Sequence, residues 1–412
     1  MFAAYMKFEE YRLSKEVKRN LAEMGFKRPT DIQFKCIPRI QRGEDLLAIA
    51  QTGTGKTAAF AIPLIDKLQQ IKYKAYEKGS AVRAIVMAPT RELAQQITRV
   101  FNQIGKGTSI KTVCIYGGVE QDYQVKKLLE GMDVVVSTPG RMFDLQAQGH
   151  LKLDKVSVLV LDEADHMLDL GFEKDINDLL QRLPRRRQTL FFSATIGKKI
   201  KQQAYKMVNS NAIRIQISPK DPVSKNVDHQ IVSVKMDDKR FFLQRLLEEN
   251  KGKKFLVFVR TKVRAERVKA AMERVNIDTL SIHGDKEQED REVALLAFRT
   301  GACQVLIATD LTARGIDIEG VEYVVNYDLP DVAENYVHRV GRTGRGRAKG
   351  KAVSFCAPNE QELQKEIEEY ITVPIARATV TKRDYQETIE FANEDMSDWK
   401  SLMANAGKKG KK

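Results

Sequence analysis

The chain carries only four cysteines in 412 residues, Cys36, Cys114, Cys303 and Cys356, and they stand far apart. No pair has metal-ligand spacing, so a zinc module is excluded, and reduced, mostly buried thiols of a cytoplasmic protein are the expectation. No apolar run reaches the roughly 20 residues that span a membrane, and the opening MFAAYMKFEEYRLSKE lacks a signal peptide's apolar stretch. Tryptophan is nearly absent: Trp399, in the last segment, is the only one. Acidic residues are outnumbered 55 to 69 by Lys and Arg, which leaves a formal charge of +14 and favours a polyanionic partner. On charge alone, nucleic acid and an acidic membrane surface both remain open.

What is present is a regular alternation of short apolar runs and helix-period stretches, in a length that suits about two domains. Strands are expected at 46–50, 84–88, 111–115, 134–137, 158–161 and 189–192. A second series begins near His229 and includes 255–259, 279–282, 305–308, 323–325 and 352–355. Most are continuous Val/Ile/Leu runs, the pattern of strands buried on both faces of a parallel sheet. Residues 216–227, with two prolines and no period, read as a linker between an amino-terminal domain, 1–215, and a carboxy-terminal one, 228–373. The fold class is α/β: two tandem doubly wound domains. The tail, 374–412, shows one strand-like stretch at 379–381, an acidic segment and a lysine-rich end.

Two motifs carry chemistry. Ala50-Gln51-Thr52-Gly53-Thr54-Gly55-Lys56-Thr57 joins a strand to a helix through glycines, so backbone N–H groups and a helix N-terminus can face phosphates. Lys56 would reach the β- and γ-phosphates of a nucleotide, and Thr57 would place its hydroxyl on Mg²⁺. Pro63 falls inside the helix that follows and is expected to kink it. Asp162-Glu163-Ala164-Asp165 follows the run 158–161, so its carboxylates emerge at a strand's carboxyl end, where open α/β sheets bind ligands. Asp162 suits Mg²⁺ through its water shell, and Glu163 suits orientation of the attacking water. The run His338-Arg339-Val340-Gly341-Arg342-Thr343-Gly344-Arg345 can aim guanidinium forks at a phosphoryl group or form a basic loop on RNA.

In order along the chain stand Phe8, Gly25-Phe26 with Pro29-Thr30-Asp-Ile-Gln33, Ala50 to Thr57, Pro89-Thr-Arg-Glu-Leu-Ala94, Gly117-Gly118, Thr138-Pro-Gly-Arg141, Asp162 to Asp165 and Ser193-Ala-Thr195. Then follow Val257-Phe-Val-Arg-Thr261, His283-Gly284 with Gln288 and Arg291, Ala308-Thr-Asp310, Arg314-Gly-Ile-Asp317, and Tyr336 to Arg345. Over about its first 370 residues the chain resembles the DEAD-box RNA helicases, whose fold is two RecA-like domains. One departure is Asp31, where that family usually has proline.

The resemblance implies ATP and Mg²⁺ as cofactors, with Gln33 reading the adenine edge, Phe26 stacking on it and Asp317 holding the ribose. Arg342 and Arg345 would complete the ATP site from the second domain, and Ser193 and Thr195 would couple it to strand separation. RNA would be held by Thr90, Arg91, Gly118, Thr138 and Arg141 in the first domain and by Arg260, Arg291 and Thr309 in the second. Such contacts go to phosphates and 2′-hydroxyls, so little sequence preference is expected. The implied activity is RNA-stimulated ATP hydrolysis with local, non-processive unwinding of short duplexes and RNA–protein remodelling, by a cytoplasmic monomer working in ribosome assembly, RNA decay or cold adaptation. An ATP-dependent RNA clamp is the rival reading. The intact Glu163, Ser193, Thr195, Arg342 and Arg345 favour the enzyme, and the adenine segment argues against a DNA helicase.

Overall fold

The computed structural model describes residues 6–51, 53–74, 81–194, 198–217, 223, 226–313, 318, 320–344 and 349–390. The chain divides into two compact units, residues 1–219 and 220–412.

The first unit holds seven strands: β1 (Leu46–Ala50), β2 (Ala84–Met87), β3 (Thr112–Ile115), β4 (Val134–Ser137), β5 (Val158–Leu161), β6 (Gln188–Ser193) and β7 (Ile213–Ile217). They form one parallel sheet in the order β3-β4-β2-β5-β6-β1-β7. Successive side chains of a strand point to opposite faces, and both faces here are covered. Val158 and Val160 join the core under helices Lys15–Glu23, Asp31–Gln41, Lys56–Lys74 and Arg91–Ile104, whereas Leu159 and Leu161 join the core under helices such as Pro139–Ala147, Ala164–Asp169 and Glu173–Arg182. Phe191 and Phe192 divide in the same way, and both are fully buried. Each contributes about 1.5–3 kcal/mol by leaving water. Helix Lys56–Lys74 runs through Pro63 as a single element.

The second unit repeats the plan. Its strands are β8 (Val227–Ser233), β9 (Phe255–Val259), β10 (Leu280–Ile282), β11 (Val305–Thr309), β12 (Tyr323–Asn326), β13 (Gly350–Cys356) and β14 (Ala376–Arg377), in the parallel order β10-β11-β9-β12-β13-β8-β14. Each position is that of the first sheet advanced by seven, so β8 stands where β1 stands and β12 where β5 stands.

The edges differ from the sequence-based expectation. Gln216 and Ile217, read above as the start of the linker, extend β7 against β1. Val227, read as its end, begins β8 beside β13. Only alternate residues of β7 are apolar, as an edge strand allows, so the run Ile213-Arg-Ile-Gln-Ile217 does not stand out in sequence. The strand-like stretch 379–381 is not a strand; the ladder with β8 is made by Ala376–Arg377. Thr381 instead caps the helix at 382–390, its Oγ1 donating to Asp384 Oδ2 at 2.7 Å and accepting the Asp384 N–H at 3.1 Å.

Candidate functional site

The glycine loop leaves the carboxyl end of β1 and enters helix Lys56–Lys74. Gly55 has φ +90°, which L side chains rarely adopt, and a Cβ there would stand 2.4 Å from Gln33 Nε2. Gln33 is buried and tied on both sides. Its Oε1 accepts the Thr30 N–H at 2.9 Å in a capping box, and its Nε2 donates to the Gly55 carbonyl at 3.2 Å. Thr54 closes the loop by donating to the Gln51 carbonyl at 2.7 Å. The small Ala50 side chain is buried in the core, so no glycine is needed at the loop's first position. Phe26 packs edge-on to Phe8 with ring centres 5.9 Å apart. Thr57 is half-buried in the first turn of the helix, and Thr52 lies outside the described residues. Lys56 is 7% exposed and its Nζ has no hydrogen-bond partner. A buried ammonium without a partner is costly, so this position suits an anion at the loop.

β5, β6 and β1 are contiguous, so the acidic pair follows two strands away from the loop. Asp162 is buried at the end of β5, and burial pushes its carboxyl up to about 7 while the Lys56 charge pulls it back. Glu163 takes a left-handed conformation, φ 48° and ψ 48°, at the cap of helix Ala164–Asp169. A non-glycine residue there carries strain of order 1 kcal/mol, a feature that concentrates at functional sites. Its Oε2 lies 3.6 Å from His166 Nδ1, and its N–H donates to Asp162 Oδ1 at 3.0 Å. Asp165 Oδ2 accepts the Ala194 N–H at 3.1 Å, so the acidic segment is bonded to the chain just beyond Ser193, which is itself buried. Thr195 lies outside the described residues.

The second candidate set gathers at the carboxyl ends of β2, β3 and β4, the other half of the same sheet edge. Thr90 caps helix Arg91–Ile104, its Oγ1 accepting the Leu93 N–H at 3.3 Å. Gly118 has φ +77°, and a Cβ there would fall 2.4 Å from both terminal nitrogens of Arg91. The Arg91 guanidinium therefore fills the space that a side chain on Gly118 would need, a contact that nothing in the spacing of the two residues announces. Arg141 Nη2 donates to the Val119 carbonyl at 2.7 Å, while its Nη1 is buried without a hydrogen-bond partner. Thr138 precedes the helix that Pro139 opens. Gly118→Ala is expected to push Arg91 out of place and weaken RNA binding by about tenfold, roughly one charge-assisted hydrogen bond. ATP affinity of the RNA-free chain should not change; equal RNA affinity in titrations of the two proteins would contradict the contact.

In the second unit the described candidates are engaged with neighbouring residues. Arg260 donates through Nη2 to Leu329 O and Glu360 Oε1, both at 3.1 Å, and pairs through Nε with Asp331 at 2.9 Å. The Thr309 hydroxyl shares a hydrogen bond of 3.1 Å with Thr312. Arg291 is half-buried in the first turn of helix Gln288–Thr300. Arg342 is buried, its Nε donating to the His338 carbonyl at 3.2 Å. Asp317 and Arg345 lie outside the described residues. Sequence reasoning assigned no part to Arg339, the largest fully buried side chain of the described residues. It forms a fork on Asp310 at 2.5 and 2.7 Å and donates to the Asp328 carbonyl at 2.7 Å.

Residues 30–203 match the DEAD/DEAH box helicase family, and residues 238–347 match the helicase conserved C-terminal domain. The chain belongs to the DEAD/DEAH box helicases. This DEAD-box helicase is 39% identical over 373 residues to the DEAD-box ATP-dependent RNA helicase RhpA of Helicobacter pylori (strain B128), with 88% of this chain and 73% of that protein covered. It is 39% identical to the probable ATP-dependent RNA helicase DDX4 of Pelophylax lessonae over 85% of its own length but only 49% of that protein's. The chain thus spans about half the length of that relative. Among solved structures, Dbp5 of S. cerevisiae bound to RNA and ADP BeF3 is similar with a TM-score of 0.81 at 31% identity, covering 94% of this chain and 99% of that one. The two parallel-sheet units are accordingly RecA-like domains, and the helicase class is that of the ATP-dependent RNA helicases.

Proposed function

We propose that this DEAD-box helicase couples RNA-stimulated ATP hydrolysis to local, non-processive opening of short RNA duplexes and to remodelling of RNA–protein complexes. The observation that carries the reading is the Lys56 ammonium, buried and without a hydrogen-bond partner beside the buried Asp162 carboxyl and the glycine loop. An ATP polyphosphate supplies the missing partner, with the loop's N–H groups and Thr57 around it. Gln33 and Phe26 suit the adenine, and Asp317 the ribose. Among the described residues no three His, Cys, Asp or Glu side chains converge on a metal position. Mg²⁺ would be held by Thr57 and Asp162 together with water and substrate phosphates, since it keeps several waters and takes few protein groups. When bound, Mg²⁺ neutralises charge on the phosphates. Glu163, fixed in its left-handed turn, orients and polarises the attacking water. Ser193 and Thr195 relay the change through Asp165 and Ala194, and hydrolysis further draws on Arg342 and Arg345 of the second unit.

Thr90, Arg91, Gly118, Thr138 and Arg141 receive the RNA backbone in the first unit, with Arg260, Arg291 and Thr309 in the second. Phosphate and sugar contacts dominate such a set, so sequence preference is small. The fold of an RNA-bound, nucleotide-bound Dbp5 supports the reading. The deciding measurement is steady-state ATPase with a single-stranded RNA, a DNA of the same sequence, or no polymer. Stimulation is expected with RNA alone; equal stimulation by DNA would refute the reading.

A further inference from the structure

We propose that a recess in the second unit, at the carboxyl ends of β8, β13 and β14, binds a phosphate-bearing ligand through Lys235, Lys365 and Arg377. The cavity has a volume of about 300 Å³, and its walls include Ser233 at the end of β8, Cys356 at the end of β13 and Tyr385 of the helix that follows β14. The three cations come from three separate elements: the loop after β8, helix Gln361–Ile371 and β14. Among the described residues none of the three has an ion pair or a side-chain hydrogen bond. Glu368, on the same helix as Lys365, is engaged elsewhere, accepting from Gln364 Nε2 at 3.3 Å and the Ile375 N–H at 3.0 Å. A lysine cluster on one exposed helix face is ordinarily just solvated. Three cations brought from distant segments around one recess repel each other there, and an anion relieves that repulsion.

The place in the fold narrows the ligand. The second sheet repeats the first with every strand advanced by seven, so the end of β8 corresponds to the end of β1, from which the glycine loop springs. Helix Lys239–Glu249 follows β8 as helix Lys56–Lys74 follows β1, and Lys239 opens it as Lys56 opens the other. Here the likeness ends. Lys239 is wholly buried and neutralised internally by Glu360 Oε2 at 2.6 Å and Asp328 Oδ1 at 3.6 Å, and the loop 234–238 has no glycine. A triphosphate cradle of backbone N–H groups is therefore closed, and the free positive charge has moved outward to the side chains around the recess. Tyr385 fixes the rim: its hydroxyl donates to Asp238 Oδ2 at 2.6 Å and accepts the Lys235 N–H at 3.1 Å. A ligand presenting one or a few phosphate groups matches three side-chain cations in such a volume. Its source is either a free phosphorylated molecule or the backbone of an RNA strand.

The test compares the full chain with K235E/K365E/R377E and with K235Q/K365Q/R377Q, each saturated with Mg-ADP. Inorganic tripolyphosphate is titrated calorimetrically, and RNAs of about 8 and about 20 nucleotides, a range set by ordinary single-strand site sizes, are titrated by anisotropy at several salt concentrations. Tripolyphosphate binding weakened about tenfold or more in both variants assigns a free phosphorylated ligand. Weaker binding of the long RNA alone, with the salt slope reduced by about 2 for three lost contacts, assigns the strand. Unchanged binding in both arms overturns the proposal, and so does an equal loss on short and long RNA. ATPase stimulated by the short RNA is expected to survive in both variants; its loss in both would overturn the placement of these side chains outside the catalytic machinery. The proposal does not depend on the roles assigned to Glu163 or Lys56, so failure of either reading leaves the other standing.

Discussion

Glu163→Gln is expected to lower RNA-stimulated ATP turnover by about 10²–10⁴-fold, the usual worth of a positioned general base. The substitution keeps the size and hydrogen-bonding reach of the side chain and removes only the negative charge that polarises water. The left-handed backbone at φ 48° is equally strained with either residue, so the turn that aims the side chain persists. The contact with His166 at 3.6 Å is beyond hydrogen-bond distance, so no hydrogen bond between the two side chains is lost with the charge. Lys56, Thr57 and Asp162 are untouched, so ATP binding in the presence of Mg²⁺ should be retained, and RNA binding with it. The measurement is kcat under saturating RNA alongside separate titrations of nucleotide and RNA. A turnover within threefold of the parent would place the base elsewhere, and a parallel loss of ATP affinity would show that Glu163 acts through binding.

The second large effect concerns an arginine that does structural work. Arg339→Met is expected to destabilise the second unit by about 3 kcal/mol, the lower end of the range for breaking a buried ion pair. The guanidinium is 1% exposed, grips Asp310 through two hydrogen bonds, reaches Asp328 O and Asn326 Oδ1, and lies 5.1 Å from the Phe258 ring centre. Methionine fills the volume and satisfies none of these acceptors. Asp310 keeps some solvent, its side chain being 27% exposed, which moderates the loss. Denaturant unfolding followed by probes in each unit should show the second transition shifted and the first unchanged. Arg339→Met combined with Asp310→Leu should recover part of the loss, because the orphaned carboxylate goes with it. An unshifted second transition in the single variant would mean that the fork contributes nothing net.

Arg339 also shows where the reading of the chain had to stop. In sequence, Arg339, Arg342 and Arg345 form a series with equal spacing, and nothing in that spacing sets the first apart from the two assigned to the phosphoryl group. The fold separates the first two: Arg339 is wholly enclosed by Asp310, Asn326 and Asp328, which lie 11 to 29 positions away. Arg342 donates locally, from Nε to the His338 carbonyl at 3.2 Å. Arg260 resembles a free RNA ligand in sequence, and the structure shows it shared with Glu360, a hundred positions on. Likewise the four thiols, read as reduced and mostly buried, are free, three of them buried, and burial pushes them up, Cys36 to about 12 and Cys114 and Cys356 to about 11.

The amino-acid sequence by itself determined the α/β class, the positions of the central strands and the glycine loop with its acidic partner. Those features are local: strands covered on both faces need continuous apolar runs, and a phosphate loop needs glycine at particular steps of a strand-to-helix turn. Only the tertiary structure decided the edge strands β7 and β14, the seat of Arg91 on Gly118, the burial of Arg339 and the closed ammonium of Lys239. Each of these rests on a contact between segments distant along the chain, and the free energy of such a contact resides in the pair, so neither residue type alone announces it.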